Sequence, residues 1–280
     1  MSKKKVCVDI GGTKTIFAVL DGSLGTKNSV YIDTPGTLKE FLSVLHKNLE
    51  ALESESDTAN VSIAGRVDED GKVTFCPNLP INGINLKTVV KKHFKKVYID
   101  NDANCFAVYE IFKGFLKGKK NGIILVWGTG VGGSLVLCEK IYRGAGLASE
   151  MGHIKTMIEP GTDTERLIGG RWLKERFGYS GFEMHTLAEA GDVLALSKFK
   201  TVGEIFGRYL ASLTYLLDPD MVIIGGSFTK SWKFMKDSIN RTIKTETIRK
   251  RLEIKTTTDE FYVIKGCYFL DEYAKLDNKL

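Results

Sequence analysis

The sequence predicts an α/β fold. Three observations carry that reading. β-rich apolar runs alternate with stretches of helical apolar spacing. Two strand–glycine turn–strand hairpins, at residues 5–20 and 123–138, each open a block, and a Gly/Lys-rich break at 113–122 separates the blocks. At about 150 residues per domain, a chain of 280 residues makes roughly two domains.

The elements follow in order. Residues 5–10 and 15–20 are β-rich runs around a glycine turn, and Asp21-Gly22 closes the second as a hairpin signal. Leu38, Phe41, Leu42, Leu45, Leu49 and Leu52 recur at helical spacing, so 38–52 is an amphipathic helix. Strands are expected at 61–64 and 73–75, a helix at 86–94, and a strand at 97–99 that runs into Asp100-Asn101-Asp102. A helix at 103–112 ends the first block. The second opens with strands 123–127 and 134–138, followed by helices near 165–177, 186–190 and 202–217. Strand 221–224, a helix through 231–243, strand 253–257 and a helical 263–275 complete the chain. No repeat of 20 to 50 residues is visible.

Composition narrows the class. At 43% hydrophobic, 26% charged and 10% aromatic residues, the chain is neither disordered nor fibrous. No apolar run approaches the roughly 20 residues that span a bilayer. The basic start, Met1-Ser2-Lys3-Lys4-Lys5, leads into a short run containing Asp9, which is a first strand and not a signal peptide. The net charge is +6, but the lysines are scattered without interleaved aromatics, so a solvated surface is expected and not a nucleic-acid site. Five cysteines, at 7, 76, 105, 138 and 267, form no C-x-x-C pair. That argues against a disulfide framework and fits a reducing cytoplasm.

Three glycine turns carry the chemistry. The first is Asp9-Ile10-Gly11-Gly12-Thr13-Lys14, where a glycine pair lets backbone N–H groups approach an anion and Asp9 can face a cation. The plain alternative is a hairpin turn with an exposed Asp. It is not a Walker A loop. The second, Gly128-Thr129-Gly130-Val131-Gly132-Gly133, matches G-x-G-x-x-G literally, but a dinucleotide site needs a helix next, and Ser134-Leu135-Val136-Leu137-Cys138 is a strand. A second phosphate-binding hairpin fits the context. The third, Gly225-Gly226-Ser227, follows an apolar strand and can admit a flat ring closely.

In this order and spacing, the pieces resemble the ROK family (repressor, open reading frame, kinase) of the actin-like ATPase superfamily. Residues 9–14 resemble its first phosphate loop and residues 128–133 its second. Asp218-Pro219-Asp220-Met221-Val222-Ile223-Ile224-Gly225-Gly226-Ser227 resembles its adenosine segment. Asn101-Asp102-Ala103-Asn104 and Glu150-Met151-Gly152-His153 resemble its sugar motifs. The resemblance implies an actin-like, ribonuclease H-like fold of two lobes with a central cleft: a small lobe at 1–115, joined by a C-terminal helix at 263–280, and a large lobe at 116–262. It also implies sugar contacts at Asn78, Asn101, Asp102, Glu150, His153 and Glu165. ATP contacts fall at Asp9, Gly11, Gly12, Thr13, Lys14, Gly128, Thr129, Gly130, Gly132, Gly225, Gly226 and Ser227, with Mg2+ near Asp9, directly or through water.

Two departures stand out. Typical members follow the Gly-His with a Cys-x-Cys-Gly-x-x-Gly-Cys zinc loop. Here no cysteine lies between Cys138 and Cys267, and Ile158-Glu159-Pro160-Gly161-Thr162-Asp163 stands in its place. A tetrahedral structural zinc takes four ligands, so no zinc is expected. Ser149 stands where the family commonly has glycine.

The function implied is an ATP-dependent hexose kinase, foremost a glucokinase phosphorylating D-glucose at O6, with Asp102 taking the hydroxyl proton. Asp102 also reads as a helix N-cap. Glu150 and His153 also read as a turn pair, and His153 as a core histidine. An N-acetylmannosamine, N-acetylglucosamine or fructose kinase, a polyphosphate-dependent enzyme, and a non-catalytic sugar-binding relative stay open. A sugar-sensing repressor would carry a helix-turn-helix ahead of its phosphate loop, which here begins at Asp9. The partners implied are a hexose and a second copy of the chain, without nucleic acid or membrane.

Overall fold

The computed structural model describes residues 3–26, 29–155, 159–248 and 252–277. Ile158 of the replaced loop, Met1 and Ser2 of the basic start and the last three residues of the expected 263–280 helix lie outside them. The chain divides into two compact units, Met1–Lys117 with Glu260–Leu280, and Gly118–Asp259.

The first unit begins with β1 (Lys5–Ile10), β2 (Lys14–Leu20), β3 (Val30–Asp33), α1 (Leu38–Glu50) and β4 (Thr58–Ile63). It continues through β5 (Arg66–Val67), β6 (Val73–Phe75), α2 (Leu86–Val90), β7 (Lys96–Asn101) and α3 (Asp102–Phe112). The second unit holds β8 (Gly122–Trp127), β9 (Val131–Leu137), β10 (Lys140–Ile141), α4 (Thr164–Ile168), α5 (Leu173–Phe177) and α6 (Gly181–Glu189). After these come α7 (Val193–Leu217), β11 (Met221–Gly225), α8 (Trp232–Glu246) and β12 (Ile254–Thr256). The closing helices, α9 (Tyr262–Cys267) and α10 (Leu270–Asp277), belong to the first unit.

Each unit is built on a five-stranded sheet, ordered β3-β2-β1-β4-β7 in the first and β10-β9-β8-β11-β12 in the second. Counted among the strands of that sheet alone, each reads 3-2-1-4-5. In both, the hairpin strands are antiparallel and the last two strands run parallel to the first. The repeat that local sequence comparison does not show is therefore present as topology.

The two faces of the first sheet differ. Val6, Val8, Ile10, Ala59, Val61, Ile63, Val97 and Ile99 point to one side and pack with Phe41, Leu45, Leu49 and Leu86. Alternation sends Lys5, Cys7, Asp9, Asn60, Ser62 and Asp100 to the other side. There α9 and α10 close over them. Lys5 Nζ, nearly fully buried, donates to Tyr268 O at 2.9 Å, to Asp271 Oδ1 at 2.6 Å and to Glu272 Oε1 at 2.9 Å. Burial alone pulls an ammonium pKa down, but the bonds and charges of Asp271 and Glu272 outweigh it and leave Lys5 above its ordinary value. The second sheet packs Ile123, Leu125, Trp127, Val222 and Ile224 with Phe199, Phe206 and Leu210 of α7.

Several elements differ from expectation. The helix expected over 165–177 is two helices, because the backbone at Gly169 and Gly170 passes against the second glycine turn. A Cβ on Gly170 would lie 2.7 Å from Gly128 O. The long helix begins at Val193 and not 202, with Asp192 accepting the Ala195 N–H at its start. β3 is an additional edge strand paired to β2, with Val30 and Tyr31 exposed. Among the described residues no helix is long and apolar enough to cross a membrane.

Candidate active site

The first unit brings its expected residues to one end of its sheet. Asp9 is the last residue but one of β1, and the turn after the strand is tight: the Gly11 N–H donates to Lys14 O at 2.9 Å. A Cβ on Gly11 would lie 2.8 Å from that carbonyl, and one on Gly12 would lie 2.8 Å from Asn78 Cβ. Asn78 thus abuts the turn, while Gly12, Thr13 and Lys14 are exposed. Thr34 pins the turn from behind, its hydroxyl donating to Gly11 O at 2.7 Å and its N–H to Thr13 O at 2.9 Å. Sequence reasoning missed Thr34, which follows the unrecognised β3.

Asp9 is half-buried, and burial pushes its carboxyl up to about 6. Ser62, its partner in the strand register, acts in the opposite direction but only in part. The buried Ser62 Oγ is close enough to lower the value yet lies outside hydrogen-bond geometry to any partner.

Ile10, Ile63 and Asn101 are register partners across β1, β4 and β7. Two strand spacings therefore separate the glycine turn from Asn101, about 10 Å. Asn101 is the cap of α3, its Oδ1 accepting the Asn104 N–H at 2.7 Å. Asp102 is the first helical residue, and its Oδ1 accepts the adjoining Ala103 N–H at 2.8 Å. The capping alternative for Asp102 is thus corrected by one residue. Behind it, Asp100 Oδ1 accepts from Asn101 N and Asn104 Nδ2, both at 2.8 Å, which fixes the strand-to-helix corner.

The second unit gathers its own set. The second glycine turn joins β8 to β9, so the strand that excluded a dinucleotide reading is present and begins at Val131. Gly170 N donates to Gly128 O and Arg171 N to Thr129 O, both at 2.9 Å. Glu165, in the first turn of α4, accepts the Val131 N–H on Oε2 at 3.0 Å. A Cβ on Gly130 would overlap that oxygen, and Gly132 faces open space. The third glycine turn lies alongside, since a Cβ on Gly128 would be 3.4 Å from Ser227 Oγ. Gly225 ends β11. Gly226 has φ +96° and a Cβ there would overlap Trp127 O, so glycine is required twice over. Trp127 is itself fixed: its Nε1 donates to Ile168 O at 3.0 Å and its ring stacks on Phe228 at 4.5 Å.

Glu150 precedes a 3-10 turn, Met151–His153, that His153 ends, and both are exposed, so His153 is not a core histidine. His153 Nδ1 lies 3.6 Å from Asp163 Oδ2, and Lys155 Nζ lies 3.5 Å from the same oxygen. Asp163 also accepts the Arg166 N–H at 3.0 Å, capping α4, and its carboxyl is held below the ordinary value: the Arg166 amide, Lys155 and His153 together outweigh the upward push of burial. Where zinc-loop cysteines would stand, His153 faces a carboxylate and an ammonium. This donor set does not fit a structural zinc. Among the described residues no group of three or more His, Cys, Asp or Glu could hold a metal ion. Ser149 has φ +73°, and its Oγ is buried without a hydrogen-bond partner, so a serine occupies a left-handed position that glycine would fill without strain.

The model for the ROK family matches residues 5–259, and the chain belongs to that family. It is 28% identical over 253 residues to an N-acetylgalactosamine kinase, AgaK, of Shewanella sp. (strain ANA-3), covering 80% of this chain and 81% of that one. It is also 28% identical over 273 residues to a glucokinase of Streptomyces coelicolor, covering 85% and 86%. A ROK family glucokinase from Streptomyces griseus, solved in complex with glucose and AMPPNP, superposes with a TM-score of 0.79. Its identity to this chain is 24%, over 96% of this chain and 99% of that one. The fold is that of the actin-like ATPases.

Proposed function

We propose that the chain is an ATP-dependent hexose kinase that transfers the γ-phosphoryl group to O6 of D-glucose. The observation that carries the reading is the corner between β7 and α3. Asn101 supplies the helix cap, and the Asp102 carboxylate follows it in the first turn, where the helix dipole favours negative charge. Asp102 accepts the proton of the sugar hydroxyl as that oxygen bonds to phosphorus and the bond from phosphorus to the departing diphosphate oxygen breaks.

Packing requires glycine in these turns, because a Cβ would meet backbone or side chain at Gly11, Gly12, Gly130 and Gly226, and glycine turns let backbone N–H groups approach an anion. The family resemblance assigns nucleotide contacts to Gly11, Gly12, Thr13, Lys14, Gly128, Thr129, Gly130, Gly132, Gly225, Gly226 and Ser227. ATP supplies the phosphoryl group, and Mg2+ near Asp9 offsets its charge. Asn78, Asn101, Glu150, His153 and Glu165 bind and orient the sugar hydroxyls, which holds the reacting oxygen in place. The protein works in the cytoplasm as a homodimer, and His153 acts without zinc.

N-acetylhexosamine phosphorylation is the second reading, favoured by the similarity to the Shewanella kinase. A panel of glucose, N-acetylglucosamine, N-acetylmannosamine, N-acetylgalactosamine and fructose, each with ATP or polyphosphate, separates the readings by phosphorus NMR of the product. Glucose 6-phosphate formed fastest with ATP supports the first. No sugar phosphate from any pair overturns both and leaves a sugar-binding relative.

A further inference from the structure

Val131 opens β9 and is buried, so its backbone N–H needs an acceptor. Glu165 Oε2 provides one at 3.0 Å. Gly130 passes directly beneath the same carboxylate, close enough that any side chain there would displace it. The backbone that carries the carboxylate is held as well. The Gly169 N–H donates to Glu165 O at 2.7 Å, and Asp163 caps the turn of helix from which Glu165 projects. One residue thus joins α4 to the backbone of the second glycine turn.

We propose that Glu165 is a positioning residue for that turn. Oε2 fixes the Val131 amide, and with it the backbone that receives phosphate, while Oε1 remains for a hydroxyl of the sugar. The identity of the two ligands rests on the kinase reading above. The link to Val131 does not, because it is a contact within the second unit. Its consequence is that nucleotide affinity depends on Glu165 even when no sugar is bound. A residue that only contacted sugar would leave it unchanged. Coupling runs both ways, so a sugar that steadies the carboxylate tightens nucleotide binding, and the nucleotide tightens sugar binding by the same factor.

The test compares wild type, Glu165→Gln and Glu165→Ala as full-length protein. Hydrogen exchange is measured first on the ligand-free proteins, in peptides covering residues 128–136. Gln retains a carbonyl oxygen that can accept the amide, whereas Ala leaves a buried N–H unpaired. Exchange at Val131 should be about tenfold faster or more in Glu165→Ala and within about twofold of wild type in Glu165→Gln. Calorimetry with the non-hydrolysable ATP analogue AMPPNP and Mg2+, without sugar, should then show a Kd weaker by about the same factor in Glu165→Ala only. Equal exchange in all three proteins overturns the proposal, and so does wild-type nucleotide affinity in a folded Glu165→Ala. If Glu165→Ala does not fold, Glu165→Asp, whose shorter side chain draws the carboxylate back from the Val131 N–H, takes its place: faster exchange and weaker AMPPNP binding than in Glu165→Gln support the role, and wild-type values of either overturn it. A wild type that binds no nucleotide would overturn the kinase reading, and the exchange rates would still decide the Val131 contact.

Discussion

Asn101 Oδ1 accepts the Asn104 N–H at 2.7 Å, and this bond places the cap of α3 one residue ahead of Asp102. Capping and the proposed chemistry therefore fall on neighbouring residues and separate by mutation. Asn101→Ala should lower stability by about 1 kcal/mol, the usual cost of a lost cap. Asp102→Asn should cost less than about 1 kcal/mol, the worth of a charge in a helix's first turn. Thermal melts of the two variants check the order.

Acidity at Asp9 gives the second prediction. Burial pushes its carboxyl up to about 6 in the folded protein against an ordinary 3.8. The folded state then holds the proton more tightly, so this group's contribution to stability falls as pH rises from 3.8 to 6. Cation binding has the opposite sense, because it needs the carboxylate. Affinity for magnesium-ATP should fall by about tenfold per pH unit below pH 6. Asp9→Asn should weaken binding at neutral pH and flatten that slope. Titrations of both proteins between pH 5 and 8 provide the check, and an unchanged slope in Asp9→Asn would move the cation elsewhere.

Glu110 carries a pH effect unrelated to ligands. Its side chain is buried at the end of α3, where Oε2 accepts the Phe115 N–H at 2.6 Å. Burial raises its carboxyl to about 7 from 4.5, with the Phe115 bond opposing only in part. A raised acid favours the protonated folded state, so stability should fall as pH climbs from 4.5 to 7, by on the order of 3 kcal/mol at most. Glu110→Gln should remove that part of the pH dependence. Chemical denaturation at pH 5 and at pH 7.5 measures it.

Thiol reactivity should divide sharply. Of the five cysteines, Cys138 is exposed and Cys7, Cys76, Cys105 and Cys267 are buried. Burial pushes the Cys76, Cys105 and Cys267 thiols up, which leaves less of the reactive thiolate. A thiol reagent should titrate one group quickly in the native protein and all five after denaturation. More than one fast thiol would mean that the buried set is accessible.

The glycine turns and the hairpins around them were legible because they depend on local rules, a missing Cβ and a strand period of two. The literal G-x-G-x-x-G at residues 128–133 runs into a strand, as its local sequence predicts, and not into the helix that a dinucleotide site needs. What escaped was set by contacts distant in sequence. The helix over 165–177 breaks at Gly169 because Gly170 meets Gly128, some forty residues away. The strand at Val30–Asp33 is an exposed edge with little apolar alternation, so its pairing to β2 defines it and its composition does not. The cap at Asn101 was off by one residue because Asn and Asp cap about equally well. The Glu165 bond to Val131 is a side-chain-to-backbone contact, which leaves no trace in residue spacing.

The central claim is phosphoryl transfer to a hexose with Asp102 as the base. The most direct measurement is kcat for wild type and Asp102→Asn with ATP, Mg2+ and the best hexose of the panel, alongside sugar affinity and melting temperature. The account predicts a loss of at least about a hundredfold in kcat, with the fold and most of the sugar binding retained. Near-wild-type turnover in a folded Asp102→Asn would contradict it.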